Sequence, residues 1–523
     1  MNYVDYLIVF TYLVGLLVLG FVLRNQQNKD DYFLAGRTLG WKPLTLSIMA
    51  TQLSAVSFIS APAFVGLREG GGLIWLSYEL AVPFAMLLLL WLVLPTLHSS
   101  GVISVYDFLE RRFDRSSRLL ISLVFQISRS FATAIMIYAI SIILQSTIGL
   151  AFWQSVLCIG IITLIYSLQG GMKAVVYGDA IQMIFIILGA LTCLGFGLYH
   201  IGGWNQFVAL VEPSRLQTLN IDTAGFNGSD FGLLPMLFGG FILYASYYGC
   251  DQSEAQRSLA AKNPVELKKM IMTASFLRFP ITLIYCFAGL VIGTLASTQA
   301  DFLAKIPQQH PDWMMPIFIV NYLPHGIIGL LLVAILAAAM SSLSSAVNSL
   351  AAVSVEDYCR YRNKQLSNHQ YLRYAKISGA CWGLATLLLS FYAGDIAPTI
   401  IEAINKVGSV FYGPVLAMFL LAILTKKLSA RHVNTGLLVG VLSNIALWLL
   451  VKELFWFWWN VVGFVFTVSV SYCAYFLRPQ QPETLKVQRH PSVLNKRDVC
   501  FMLLWFAIIM VACYVIPNLI EQT

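Results

Sequence analysis

The chain is predicted to be an all-α integral membrane protein of about fourteen transmembrane helices, and three observations carry that prediction. Of 523 residues, 58% are hydrophobic and 11% charged, less than half of the ~25% charged share of a soluble domain. Windows of about 20 apolar residues, long enough to cross a bilayer core, recur along nearly the whole length. The Lys and Arg between them fall mostly on one side of the implied membrane. A water-soluble globule of this size is excluded.

The fourteen segments lie near 3–23, 42–66, 72–97, 119–148, 151–168, 173–201, 232–250, 265–298, 313–353, 371–393, 397–424, 429–451, 454–477 and 498–518. The first has no basic stretch before it and no small-residue cleavage site, so it reads as a retained helix rather than a signal peptide. The longest gap, 202–231, is too short for a soluble domain of about 50 residues or more, which excludes a kinase, ATPase or receptor domain. With the N-terminus outside, 26 of the 33 Lys and Arg fall in loops on the inner side. The formal charge of +8 is therefore topology, not a nucleic-acid patch. An even number of spans puts both termini outside. The nine cysteines lack disulfide or zinc spacing and read as small core residues.

Polar and helix-breaking residues inside such spans are penalised unless they face protein, water or ligand. In the second span Gln52, Ser54 and Ser57 cluster at mid-span, with Pro62 and Gly66 beyond. Unwinding there frees backbone carbonyls for a cation. A lone serine more often bonds its own helix, but several polar side chains this close exceed that pattern. The third span carries Glu79, the fourth Arg129 and the sixth Asp179. Each is a functional candidate, with pairing to Arg129 or Arg278 the structural alternative for the two acids.

The seventh span reads Gly239-Gly240, then Tyr244, Tyr247 and Tyr248 at helical i, i+3, i+4 spacing, then a polar run through Glu254. Two interrupted helices five spans apart suggest halves of an inverted repeat. In the ninth span Ser341, Ser344, Ser345 and Asn348 share one helical stripe. Small residues glue helices together. Five serines and an asparagine between 341 and 349 exceed that need, and hydroxyl oxygens suit a hard cation such as Na⁺. Glu402 and Lys406, near the start of the eleventh span, read as interfacial and snorkelling.

These motifs resemble the sodium/solute symporter family of sodium/glucose, sodium/iodide and sodium/sialic-acid carriers. The signposts are Asp31-Tyr-Phe-Leu-Ala-Gly-Arg37, Thr51-Gln-Leu-Ser-Ala55, Ser77-Tyr-Glu79, Gly170-Gly-Met-Lys-Ala-Val-Val with Asp179, Gln256-Arg-Ser-Leu-Ala-Ala-Lys262 and the serines 341–345. The resemblance implies a LeuT-type core of five plus five inverted helices, with one helix before and three after. The implied divisions are 1–41 for the first helix and its loop, 42–201 and 232–424 for the repeats, 202–231 for an extracellular loop and 425–523 for three further helices. It implies a first Na⁺ held by the carbonyls of Ala50, Leu53 and Ala338 and the hydroxyls of Ser341 and Ser342. A second Na⁺ is implied at Asp179, Ser341, Ser344 and Ser345. Solute contacts carried over are Gln52, Ser54, Ser57, Glu79, Arg129, Tyr244 and Tyr247, with Arg129 on a solute carboxylate. Tyr244 and Ser57 replace polar residues of the sugar carriers and argue against a glucose-type pocket.

The function expected is Na⁺-coupled symport of a small organic solute by alternating access, with carboxylate-bearing solutes such as a sialic acid or a monocarboxylate among the expected substrates. Na⁺/sugar or vitamin symport is the alternative within the family, and an ion channel the distant one outside it. No paired His, metal cluster or acyl- or phosphoryl-transfer motif is present, so an enzyme is not expected. The expected partners are solute, Na⁺ and lipid, in a multi-pass monomer of the cell membrane.

Overall fold

The computed structural model describes residues 2–24, 28–53, 55–228, 230–307, 310–362, 366–393, 396–479 and 490–522. Helix α1 (Tyr3–Val22) opens on a capping box in which Asn2 and Asp5 satisfy each other's amides. The second segment is two helices, α2 (Trp41–Gln52) and α3 (Ala55–Gly66), whose axes bend by 51°. Between them Leu53 leaves helical geometry at φ −83°, ψ 60°. The third segment runs as a 3₁₀ stretch (Leu73–Ala81), α4 (Val82–Leu88), one π turn (Leu89–Val93) and α5 (Leu94–Ser99).

Helix α6 (Arg115–Ile148) is capped by Asp114 and ends on a left-handed Gly149. The fifth and sixth segments are continuous as α7 (Phe152–Ile201), which turns sharply at Gly171 (φ 57°, ψ −156°), a conformation reserved for glycine. There follow α8 (Leu233–Cys250), α9 (Gln252–Leu259), α10 (Pro264–Thr298), α11 (Ile327–Tyr361), α12 (Asn368–Leu389), α13 (Ile400–Leu424), α14 (Ala430–Leu450), α15 (Phe457–Leu477) and α16 (Lys496–Gln522).

Each of the fourteen segments contains helix, and two differ in detail from expectation. The ninth is a short helix, Met314–Tyr322, and then α11, parted around Pro324 and Gly326 (φ 89°). The seventh is not interrupted at Gly239-Gly240. A side chain on Gly239 would strike the Phe457 carbonyl and one on Gly240 the Tyr78 ring, so this pair permits close packing rather than a break. The break comes at Asp251 (φ −76°, ψ 123°), which ends α8 and caps α9 through the Ser253 amide.

Ten helices among the described residues are long and apolar enough to cross a membrane, and α2 with α3 makes an eleventh. Their burial separates two layers. The apolar window of α6 is 83% buried, against 22% for α1 and α15 and 17% for α16. The chain is thus a multi-pass membrane protein whose inner helices carry the polar residues and whose outer helices offer apolar faces to lipid. Helix α3 lies backbone to backbone on α10, where a Cβ at Gly66 would stand 2.5 Å from the Gly289 carbonyl oxygen. That contact fixes the half of the bent span that walls the central cavity.

Candidate solute and sodium sites

A cavity of ≈ 80 Å³ sits where α2, α3, the 3₁₀ stretch, α6, α8, α10 and α13 converge. Gln52, Ser57, Glu79, Arg129, Tyr247 and Arg278 all contribute to its wall. Five of these are among the solute contacts expected from sequence. Ser54 and the side chains of Ala338 and Ser341 lie outside the described residues.

The two arginines differ in what surrounds them. The Arg278 Nε stands 2.8 Å from the Glu79 carboxylate, both fully or nearly buried. Thr282 Oγ1 and Tyr244 Oη donate to the other Glu79 oxygen, each at 3.2 Å, while Arg278 Nη2 donates to Tyr244 Oη at 2.6 Å. The Tyr244 ring stacks on Tyr78 with centroids 4.3 Å apart. Glu79 is therefore the partner of Arg278, one of the two pairings open from sequence. Tyr244, completely buried, serves that pair rather than the cavity wall, which corrects its expected role as a solute contact.

Arg129 has no such partner. It is 1% exposed, and its Nε and Nη2 meet no acceptor among the described residues. The Oε1 of Gln52 is likewise without a donor. Counting the wall, Glu79 offsets one of two guanidinium groups, and one positive charge remains facing the cavity. A buried unpaired donor of this kind costs free energy until an acceptor arrives.

The bend between α2 and α3 meets the serine stripe of α11. Ser342, Ser344, Ser345 and Asn348 are all buried, and Thr51 Oγ1 lies 3.5 Å from Ser345 Oγ. Leu53 lies outside helical geometry there, and Ala50 is buried in the last turn of α2.

Asp179 lies deeper on the same side and already has a cation. Arg257 Nη2 stands 2.7 Å from its Oδ2, and the same guanidinium donates to Ser47 Oγ at 2.7 Å and to Ser345 Oγ at 2.6 Å. Ser47 Oγ in turn donates to Asp179 at 2.5 Å. Ion and carboxylate are 1% and 0% exposed. Arg257 falls in the stretch counted as an inner loop, so its role was not read from sequence, and neither Arg129 nor Arg278 pairs with Asp179. Glu402 is a second correction: it does not snorkel but is 2% exposed and holds Arg68 at 2.9 Å. This pair joins the end of α3 to the start of α13.

The chain matches the model of the Sodium:solute symporter family over residues 32–440. It is 27% identical to the sodium/sialic acid symporter NanT of Aliivibrio fischeri, over 90% of this chain and 92% of that protein. It is 28% identical to sodium-coupled monocarboxylate transporter 2 of Danio rerio, over 81% of this chain and 67% of that protein. Among solved structures, a substrate-bound outward-open Na⁺-coupled sialic acid symporter superimposes with a TM-score of 0.81 at 24% identity, covering 92% of this chain and 99% of that one. The fold is thus of the LeuT type.

Proposed function

The chain belongs to the sodium:solute symporter family, and from that premise we propose that it carries a small organic anion, a carboxylate, into the cell with Na⁺ by alternating access. Membership makes it a Na⁺-coupled carrier and not an enzyme. The observation that supports the anion reading is the uncompensated Arg129 guanidinium on the cavity wall. A carboxylate there accepts two parallel hydrogen bonds from one planar donor group. Gln52, Ser57 and Tyr247 are the remaining polar contacts. Two similar relatives are named for sialic acid and monocarboxylate, solutes that share a carboxylate. A cavity of ≈ 80 Å³ has room for several waters, each needing about 10–15 Å³ of such space.

Na⁺ in this reading binds at the α2–α3 bend against α11, on the carbonyls of Ala50, Leu53 and Ala338 and the hydroxyls of Ser341 and Ser342. The ion pins the bend, and the bend places Gln52 and Ser57 on the solute. Residues 42–201 and 232–424 form the two repeats, with 1–41, 202–231 and 425–523 outside them. The carrier works as a monomer in the cell membrane with both termini outside.

The test is a thermal-shift screen of purified protein against monocarboxylates, sialic acids, sugars and vitamins, with and without Na⁺, since a ligand of the native state raises apparent stability. Saturable, Na⁺-dependent uptake of the best carboxylate into proteoliposomes is expected. Non-saturating flux would favour a channel, and a neutral sugar as sole ligand would remove the anion reading. Ser342→Ala takes one of five oxygens from the ion, whose dehydration is then less fully offset. Half-maximal transport should need severalfold more Na⁺, with solute binding unchanged at saturating Na⁺. An unaltered Na⁺ dependence would place the ion elsewhere.

A further inference from the structure

Glu254 is a carboxylate that this transport scheme leaves unused. It sits in the first turn of α9, beyond the end of the span formed by α8, and is 0% exposed. Neither of its oxygens is met by a hydrogen bond of full geometry among the described residues, although the Tyr247 hydroxyl stands close enough to favour the ionised form. Arg257, one turn further along α9, is committed to Asp179, Ser47 and Ser345. The groups that act on Glu254 electrostatically are Arg257 and Asp251 from its own segment, Arg129 from α6, Tyr247 and Tyr248 from α8, and Tyr412 from α13. Arg129, Tyr247 and Tyr412 also line the cavity, so Glu254 stands directly behind its wall.

We propose that Glu254 is a proton-binding site behind the solute cavity, and that its proton leaves Arg129 free to hold an anionic solute. An ionised carboxylate sealed from water with no well-formed hydrogen bond is costly, whereas the protonated form is much less so. Burial pushes the Glu254 carboxyl up to about 8 although Arg257 and Arg129 oppose the shift. Below that pH the cavity keeps the single positive charge of Arg129. Above it Glu254 and Arg129 compensate each other, and an incoming anion meets a neutral wall. The second clause rests on the anion reading above, but the proton site itself does not.

The linkage has a definite sign. The folded protein holds this proton more tightly than the unfolded chain, whose glutamate has the ordinary value of 4.5. The stabilisation is therefore complete below about 4.5 and is lost as pH rises through about 8.

The test uses the full chain, purified without Na⁺ or solute, and reads the infrared stretch of protonated carboxyl groups across pH. A component that disappears near pH 8 is expected in the unmodified protein and is absent from Glu254→Gln. Asp312, a second buried carboxyl pushed up to about 7 by burial, contributes its own component, so Asp312→Asn must retain the one at pH 8. That variant also decides the matter where Glu254→Gln does not fold. A component unchanged in Glu254→Gln, or none near pH 8 in Asp312→Asn, overturns the site. Propionate at saturating Na⁺ probes the second clause. Its affinity should fall about tenfold per pH unit above 8, the limit for one linked proton, and should be flat over that range in Glu254→Gln. An equal fall in both overturns the link to Arg129. Absence of propionate binding at every pH counts against the anion reading and leaves the infrared result to decide the proton site.

Discussion

Arg129→Lys is expected to weaken carboxylate binding by at least about thirtyfold while Na⁺ alone still stabilises the protein as it does the parent. Truncating one partner of a buried, hydrogen-bonded charge pair costs about 2–5 kcal/mol, and ~1.4 kcal/mol is a factor of ten. Lysine keeps the positive charge, so a loss at the low end of that range isolates the geometry. The planar guanidinium offers two parallel donors to a carboxylate, and an ammonium acts as a point charge. The Na⁺ response survives because the proposed ligands on α2 and α11 do not include Arg129. Thermal shift with Na⁺ alone, then titration of the best carboxylate at saturating Na⁺, reads the two effects separately. Retained affinity would show that the solute does not engage Arg129. Loss of the Na⁺ response together with affinity would make Arg129 a structural element of the bundle.

The helices were legible because lipid demands only length and apolarity, and both are local properties of the chain. The same economy explains what was not legible. Gly239-Gly240 looked like a break because a glycine pair is ambiguous until its neighbours are known. Here the neighbours are Phe457 and Tyr78, a contact between segments far apart in sequence.

The candidate site divides along a similar line. Glu79, Arg129 and Asp179 stood out because charges inside spans need a reason. Which of them were already satisfied depended on contacts far along the chain, such as Glu79 with Arg278 and Asp179 with Arg257. Hydropathy assigned Arg257 to a loop because the polar run after Cys250 cannot span a bilayer. It folds instead into α9, which is buried throughout, and carries the guanidinium back to Asp179.

Arg257→Met should be among the most destabilising single changes in the core, and its partner mutation should repair much of it. Breaking a buried ion pair from one side leaves the other charge stranded, at a cost of about 3–5 kcal/mol. Asp179, completely buried, would keep Ser47 as a donor but lose the Arg257 guanidinium. Arg257→Met with Asp179→Asn removes both charges, and its melting temperature should recover most of the loss. Equal destabilisation in single and double variants would mean that the ion pair contributes through shape alone. The same pair decides the number of coupled ions. A second Na⁺ was expected at Asp179 with Ser341, Ser344 and Ser345 because an uncompensated carboxylate would need it. The guanidinium now supplies that charge and takes the Ser345 hydroxyl as well, so a second ion at Asp179 would have to share the carboxylate with Arg257. We therefore expect the unmodified protein to respond to Na⁺ hyperbolically, with a Hill coefficient near one. Arg257→Met, where it folds, should bind Na⁺ at the vacated carboxylate and steepen towards two, the limit set by the number of sites. A sigmoidal response in the unmodified protein, lost in Asp179→Asn, would show instead that Arg257 leaves the carboxylate during the cycle and that Na⁺ takes its place.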